Sequence, residues 1–131
     1  MKNLKNILAK EIMTAEILSV EPSVTVQEAC ELMAKNNIGS LVVLSPIHDL
    51  LGIFTERDVM KRVVAKKKDP TTTKIKEVMT PNVMVAQSSD NAFDLLQVMQ
   101  REKFRHLPVV EGRKVVGILS LKDFTDSLLQ S

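Results

Sequence analysis

Glu11-Ile12-Met13-Thr14 returns later in the chain as Glu77-Val78-Met79-Thr80, and the reading of the fold works outward from that echo. At the same 66-residue offset Met33 meets Met99, and Leu41-Val42-Val43 meets Leu107-Pro108-Val109. The offset then falls by one, because Ser45-Pro46-Ile47-His48-Asp49 is one residue longer than Glu111-Gly112-Arg113-Lys114, after which Gly52-Ile53 aligns with Gly117-Ile118. A slip confined to a turn is what a duplicated fold tolerates.

Each copy predicts the same elements. Residues 17–20 and 83–85 are short apolar runs that read as an opening strand. Thr25 with Glu28 three residues on forms a capping-box pattern, and Asn91 with Asp94 matches it. Val26, Ala29, Cys30 and Met33 then share one helical face, as do Ala92, Leu95, Leu96 and Met99, and this spacing is that of a core face. Extended runs follow at 41–44 and 50–54, and at 107–110 and 115–119; Gly112 marks the second pair as a hairpin. A second helix begins at Thr55 or Ser120, carrying Val59, Met60 and Val63, or Phe124 and Leu128. The expected class is therefore α/β (α+β), with β-α-β-β-α written twice. The expected organisation is an N-terminal extension at 1–10, one repeat at 11–65, a linker at 66–76 and a second repeat at 77–131. A copy of roughly 60 residues buries too little surface to be secure alone. The two are therefore expected to pack sheet to sheet about a pseudo-twofold axis, creating two related clefts.

Composition narrows the function. The chain has 131 residues, 44% hydrophobic and 26% charged, as a folded globular protein should. Aromatic content is 3%, with no Trp or Tyr, which leaves few rings for stacking on bases, and the net charge of +2 is too small to imply a nucleic-acid partner. Lys66-Lys67-Lys68, followed by Asp69-Pro70, reads as a solvated linker. Cys30 cannot form an internal disulfide and falls on an apolar helix face. The start Met1-Lys2-Asn3-Leu4-Lys5 lacks an apolar signal region, and no hydrophobic run reaches membrane-spanning length. These features predict a cytoplasmic protein without a membrane partner. Two histidines and one cysteine supply no nucleophile–base pair and no metal cluster, so no enzyme, catalytic cofactor or metal is expected.

One recurring segment holds more than packing. Gly52-Ile53-Phe54-Thr55-Glu56-Arg57-Asp58 pairs with Gly117-Ile118-Leu119-Ser120-Leu121-Lys122-Asp123: glycine, two apolar residues, a hydroxyl, two variable residues and an aspartate. Local capping alone accounts for Thr55 with Asp58 and for Ser120 with Asp123. The same groups also suit a nucleotide. A helix start and its cap hydroxyl favour a phosphate, the carboxylate can accept from two ribose hydroxyls, and Arg57 and Lys122 add positive charge. The glycines permit close backbone approach.

Two copies of Gly-x-x-Thr/Ser-x-x-Asp, each preceded by Met-Thr and a Val-rich strand, resemble the CBS-domain family from about Glu11 to Leu128. The first copy is also similar to the regulatory insert of inosine monophosphate dehydrogenase. The resemblance implies one module that binds an adenosine-containing ligand between its repeats and pairs with a second module as a flat four-repeat disc. By position it implies ribose binding at Asp58 and Asp123, phosphate binding at Thr55 and Ser120, and adenine pockets around Thr14, Ile17, Thr80 and Val83. Arg105-His106-Leu107-Pro108 resembles the basic pair that reaches phosphate in nucleotide-sensing members, whereas the first copy has Gly39-Ser40 there, so the two clefts are not expected to be equivalent. The implied function is a regulatory sensor of AMP, ADP or ATP. S-adenosylmethionine and NADH, which also present a ribose diol, stay open as ligands, as does a ligand-free module that docks on a partner enzyme or transporter. Apolar Val59, Met60, Val63, Leu128 and Leu129 exceed what one core face needs and point to a homodimer.

Overall fold

Thr25 and Asn91 start the two long helices as their side chains require: Thr25 Oγ1 accepts from Glu28 N, and Asn91 Oδ1 accepts from the backbone N–H groups of Phe93 and Asp94. The computed structural model describes residues 3–130; Met1 and Lys2 of the expected extension, and Ser131 of the second repeat, lie outside them. A 3-10 turn at Leu4–Asn6 precedes α1 (Ala9–Ile12), β1 (Ser19–Val20), α2 (Val26–Asn36), β2 (Ser40–Leu44) and β3 (Leu50–Thr55). Next come α3 (Glu56–Asp58), which runs into a π-helical stretch at Val59–Val64, then α4 (Ile75–Val78) and β4 (Thr80–Pro81). The chain ends with β5 (Ala86–Gln87), α5 (Ala92–Glu102), β6 (His106–Glu111), β7 (Lys114–Ser120) and α6 (Leu121–Leu129). The β-α-β-β-α order therefore occurs twice, in a mixed α+β fold.

Two compact units result, and they do not follow the sequence copies. One holds the residues from 18 to 83; the other joins the chain up to Ile17 with everything from Met84 onward. In the first unit β1 runs parallel to β2 through the α2 crossover, β2 and β3 form an antiparallel hairpin, and β4 closes the sheet on the far side of β3. In the second, β5 lies parallel to β6 and β6 antiparallel to β7, while Thr14 bridges Ile118 as the counterpart of β4. Val26, Ala29 and Met33 of α2 are buried with Leu41, Val43 and Phe54; Ala92, Leu95 and Met99 of α5 are buried with Leu107, Val109 and Leu119. A fully buried Val, Leu, Met or Phe side chain contributes about 1.5–3 kcal/mol.

The segments read as extension and linker are equivalent structural parts. Ala92 N donates to Ile7 O, Ala9 N to Asp90 O and Lys10 N to Ser88 O; at the matching positions Val26 N donates to Thr73 O, Ile75 N to Val24 O and Lys76 N to Pro22 O. Leu4, Ile7 and Ala9 are buried in one core, and Thr73 and Ile75 are buried in the other unit. Lys66, Lys67 and Lys68 are exposed, as a solvated connector should be.

Three other expectations need correction. The second opening strand lies at Ala86–Gln87 instead of 83–85, because Ala86 is the residue that is fully buried and registered against Val109, whereas Met84 is exposed. The helix after Thr55 widens into a π stretch, with Ala65 N bonded to Met60 O and Lys68 N to Val63 O. Of the five apolar residues expected to form an association surface, Val63 is buried, and Val59 and Leu128 pack against their own cores; Met60 and Leu129 stay exposed, together with Val64 and Leu121. Cys30 is half-buried, and burial pushes its thiol pKa up. Among the described residues no helix is long and apolar enough to cross a membrane, and no cluster of three or more His, Cys, Asp or Glu side chains could hold a metal ion.

Candidate functional site

The motif glycines are where two stretches of backbone meet. A Cβ at Gly52 would stand 2.3 Å from the Thr80 carbonyl oxygen, and one at Gly117 would stand 2.5 Å from Met13 Sδ and 2.9 Å from the Thr14 carbonyl oxygen. The close approach that glycine allows is thus made by the chain's own Met-Thr segment, which belongs to the other sequence copy. Thr14 N donates to Ile118 O and Ile118 N to Thr14 O, each at 2.9 Å, while β4 pairs Thr80 with Ile53.

This crossing delivers a threonine to each aspartate. Thr80 Oγ1 donates to Asp58 Oδ1 at 3.1 Å, and Thr14 Oγ1 donates to Asp123 Oδ1 at 3.2 Å. The second oxygen of each carboxylate is held within its own capping box. Asp58 Oδ2 accepts from Thr55 N at 2.9 Å and Thr55 Oγ1 at 3.2 Å; Asp123 Oδ2 accepts from Ser120 N at 2.8 Å and Ser120 Oγ at 3.2 Å. Capping and the expected ligand chemistry therefore share the same atoms. The hydroxyls of Thr55 and Ser120 face a carboxylate here, so donation to a phosphate requires them to turn.

The two boxes differ in what surrounds them. Asp58 and Thr55 are buried, and the Arg62 guanidinium lies beside the carboxylate, with Nε 3.5 Å from Asp58 Oδ1 and Nη1 donating to the Met79 carbonyl at 2.8 Å. Asp123 is half-buried, and the position matching Arg62 is Ser127, whose buried hydroxyl has no hydrogen-bond partner among the described residues. The helix caps repeat faithfully: Asn37 and Lys103 both take left-handed backbone, and Ile38 N and Phe104 N bond back to Met33 O and Met99 O. Directly after them stand Gly39 in one copy and Arg105 in the other. A Cβ at Gly39 would lie 3.0 Å from a Glu56 carboxylate oxygen. Glu56 has Leu121 as its counterpart.

The remaining expected residues differ in exposure and in their partners. Arg105 is exposed just before β6, and His106 is half-buried and registered against Ser120. Pro108 is buried opposite Ile118. Ile17 and Val83 are half-buried, Ile17 in the unit of Asp123 and Val83 in that of Asp58. Arg57 is exposed. Lys122 is turned to Asp126 at 2.9 Å, and that hydrogen bond and charge raise its pKa. Sequence reasoning passed over Arg62, although its i,i+4 spacing from Asp58 was the available signal, and over Glu56, which only the fold places against Gly39. A cleft of about 500 Å³ opens between Cys30, Ile38, Gly39, Glu56 and Val59; its lining does not include Thr55, Asp58 or Thr80.

The duplication, the βαββα order and the paired boxes meet in a comparison with known families, where the model described as CBS domain matches residues 9–65 and again 75–130. The chain belongs to the CBS-domain family. The matches include α1 in one and α4 in the other, and begin just after Ile7 and Thr73, whose carbonyls accept from the starts of α5 and α2. The chain is 35% identical over 86% of its length to a CBS domain-containing protein of Arabidopsis thaliana, CBSCBSPB1, and spans 21% of that longer protein. Among solved structures, an uncharacterised conserved protein of Pyrococcus horikoshii superposes with a TM-score of 0.93 at 30% identity, covering 99% of this chain and 97% of that one. A CBS-domain protein of Burkholderia ambifaria ascribed to signal transduction gives 0.88 at 30% identity, with 94% of each chain covered. A hexameric CBS-CP12 protein from bloom-forming cyanobacteria gives 0.83 at 29% identity, covering 91% of this chain and 69% of that one.

Proposed function

We propose that this CBS pair binds an adenine nucleotide, AMP, ADP or ATP, at the box centred on Asp123, and that it acts as a regulatory sensor and not as an enzyme. The observation that carries the reading is the state of that carboxylate. Asp123 is half-buried, and among the described residues it accepts three hydrogen bonds, from Thr14 Oγ1, Ser120 N and Ser120 Oγ. An ionised carboxylate offers about four acceptor sites. A ribose diol can take the free site and replace the Thr14 hydroxyl at 3.2 Å. Arg105, just before β6, supplies the charge that a phosphate needs, and His106 at the start of that strand, registered against Ser120, adds a ring nitrogen for hydrogen bonding. The ascription of the Burkholderia ambifaria neighbour to signal transduction favours a regulatory role.

Isothermal titration with AMP, ADP and ATP, and with S-adenosylmethionine and NADH as competing candidates, tests this reading. Binding is expected to stabilise the fold by linkage, by about 2.7 kcal/mol at a hundredfold excess over Kd, and so to raise the melting temperature. Asp123→Asn should weaken nucleotide binding by roughly tenfold to a hundredfold, since charge-assisted hydrogen bonds are worth about 1.5–3 kcal/mol. If Asp123 served only the helix start, the same change would cost at most about 1 kcal/mol of stability and leave affinity alone. Absence of binding by all five compounds at millimolar concentration sinks the reading and leaves the docking module standing.

The module is also proposed to assemble with copies of itself. Exposed Met60 and Val64 on one unit, and Leu121 and Leu129 on the other, are apolar surface that association would cover, and the cyanobacterial neighbour is hexameric. Light scattering at micromolar concentration should give a mass above that of one chain, and Val64→Glu with Leu129→Glu should lower it. A monomer in the unmodified protein would contradict assembly.

A further inference from the structure

We infer that Arg62 and Glu56 close the Asp58 box to phosphorylated ligands, so that each chain carries one nucleotide site, centred on Asp123. This deepens the proposed function and rests on it. The two boxes have the same frame and differ at the positions of Arg62, Glu56 and Gly39. Asp58 accepts from Thr55 N, Thr55 Oγ1 and Thr80 Oγ1 and has Arg62 Nε beside it, so about four acceptor sites face four donors. A ribose diol would have to displace two of them while the carboxylate lies buried. The Arg62 guanidinium is further tied by Nη1 to the Met79 carbonyl, which holds it across the box instead of leaving it for a ligand.

Charge adds the second barrier. Where the Asp123 unit has Arg105, the Asp58 unit has Gly39, and the Glu56 carboxylate occupies the space next to it. A phosphate arriving there meets an anion in place of a cation, and like charges in a confined site repel. In the other unit Leu121 takes the position of Glu56 and Ser127 that of Arg62, which removes both obstacles.

Calorimetric titration with ATP, scored by stoichiometry, tests the inference. The unmodified protein should bind one ATP per chain, and Asp123→Asn should lower its affinity by tenfold or more without revealing a second tight site. Combining Glu56→Leu with Arg62→Ser should bring the stoichiometry to two, and in the Asp123→Asn background the same pair should restore one site. Circular dichroism melting confirms that each variant is folded. If loss of the Arg62 clamp prevents folding, the reciprocal variant Leu121→Glu decides: Leu121 is exposed, so the fold tolerates the change, and ATP affinity should fall about tenfold. Two sites in the unmodified protein, a binding site that Asp58→Asn removes and Asp123→Asn spares, or a folded double variant that gains no site would each overturn the inference while leaving nucleotide sensing intact. ATP affinity unchanged by Leu121→Glu would do the same. No ATP bound by any variant overturns the inference, and no AMP, ADP, S-adenosylmethionine or NADH bound either overturns the proposed function with it.

Discussion

Gly52→Ala is expected to destabilise the protein by about 3 kcal/mol, at the upper end of overpacking costs. The added methyl would lie 2.3 Å from the Thr80 carbonyl oxygen and 3.1 Å from Pro81 Cα, and both are backbone atoms that cannot rotate away. Relief requires β4 to move off β3, which also draws Thr80 Oγ1 away from Asp58. Gly117→Ala should cost less, about 1–2 kcal/mol, because its nearest neighbour is the flexible Met13 side chain, although the Thr14 carbonyl at 2.9 Å still resists. Gly112→Ala should cost about 1 kcal/mol from its φ of +61° alone, since among the described residues nothing beyond its chain neighbours lies within 4 Å of the new methyl. Urea denaturation of the three variants checks the order. Equal losses at Gly52 and Gly112 would mean that β3 and β4 are not held in this close contact.

Deleting the residues before Glu11 is expected to unfold the unit that contains Asp123. Leu4 and Ile7 are buried in its core, and removing two such side chains costs about 3–6 kcal/mol. The docking bonds from Ala92 N to Ile7 O, Ala9 N to Asp90 O and Lys10 N to Ser88 O disappear with them, as does that from Asn91 Nδ2 to Lys5 O at 2.6 Å. Against a typical total of about 5–15 kcal/mol, this loss is most of the stability available. Amide exchange should show α5, β6 and β7 losing protection. Ile7→Ala, which leaves the backbone in place, should cost about 2–4 kcal/mol. A truncated protein with unchanged melting temperature and protection would show that these residues are dispensable.

The duplication, the element order and the capping boxes were legible because each depends on neighbours in sequence. Thr25 reaches Glu28, Thr55 reaches Asp58 and Ser120 is bonded by Asp123 within one turn, and the buried stripes of α2 and α5 follow helical spacing. The two-residue edge strand β4 and the role of Leu4 to Lys10 were not legible, since segments so short carry no periodicity and acquire their place only from what they dock against. The shift of β5 has the same origin: Val83-Met84-Val85 is as strand-like as Ala86-Gln87, and burial of Ala86 against β6 chose between them.

The sequence by itself determined that there are two aspartates in equivalent boxes, because duplication and capping are local facts. Only the tertiary structure decided which threonine serves which aspartate. Thr14 of the first copy joins Asp123 of the second, and Thr80 of the second joins Asp58 of the first, because each Met-Thr segment crosses the other copy's glycine, where no side chain stands in its way. The tertiary structure also separated the boxes, through side chains that lie outside the recurring motif or in its variable positions. Arg62 lies beside one carboxylate and Glu56 fills the space next to Gly39, while Asp123 accepts three hydrogen bonds among the described residues, since a carboxylate's occupancy depends on which donors the packed chain brings within reach.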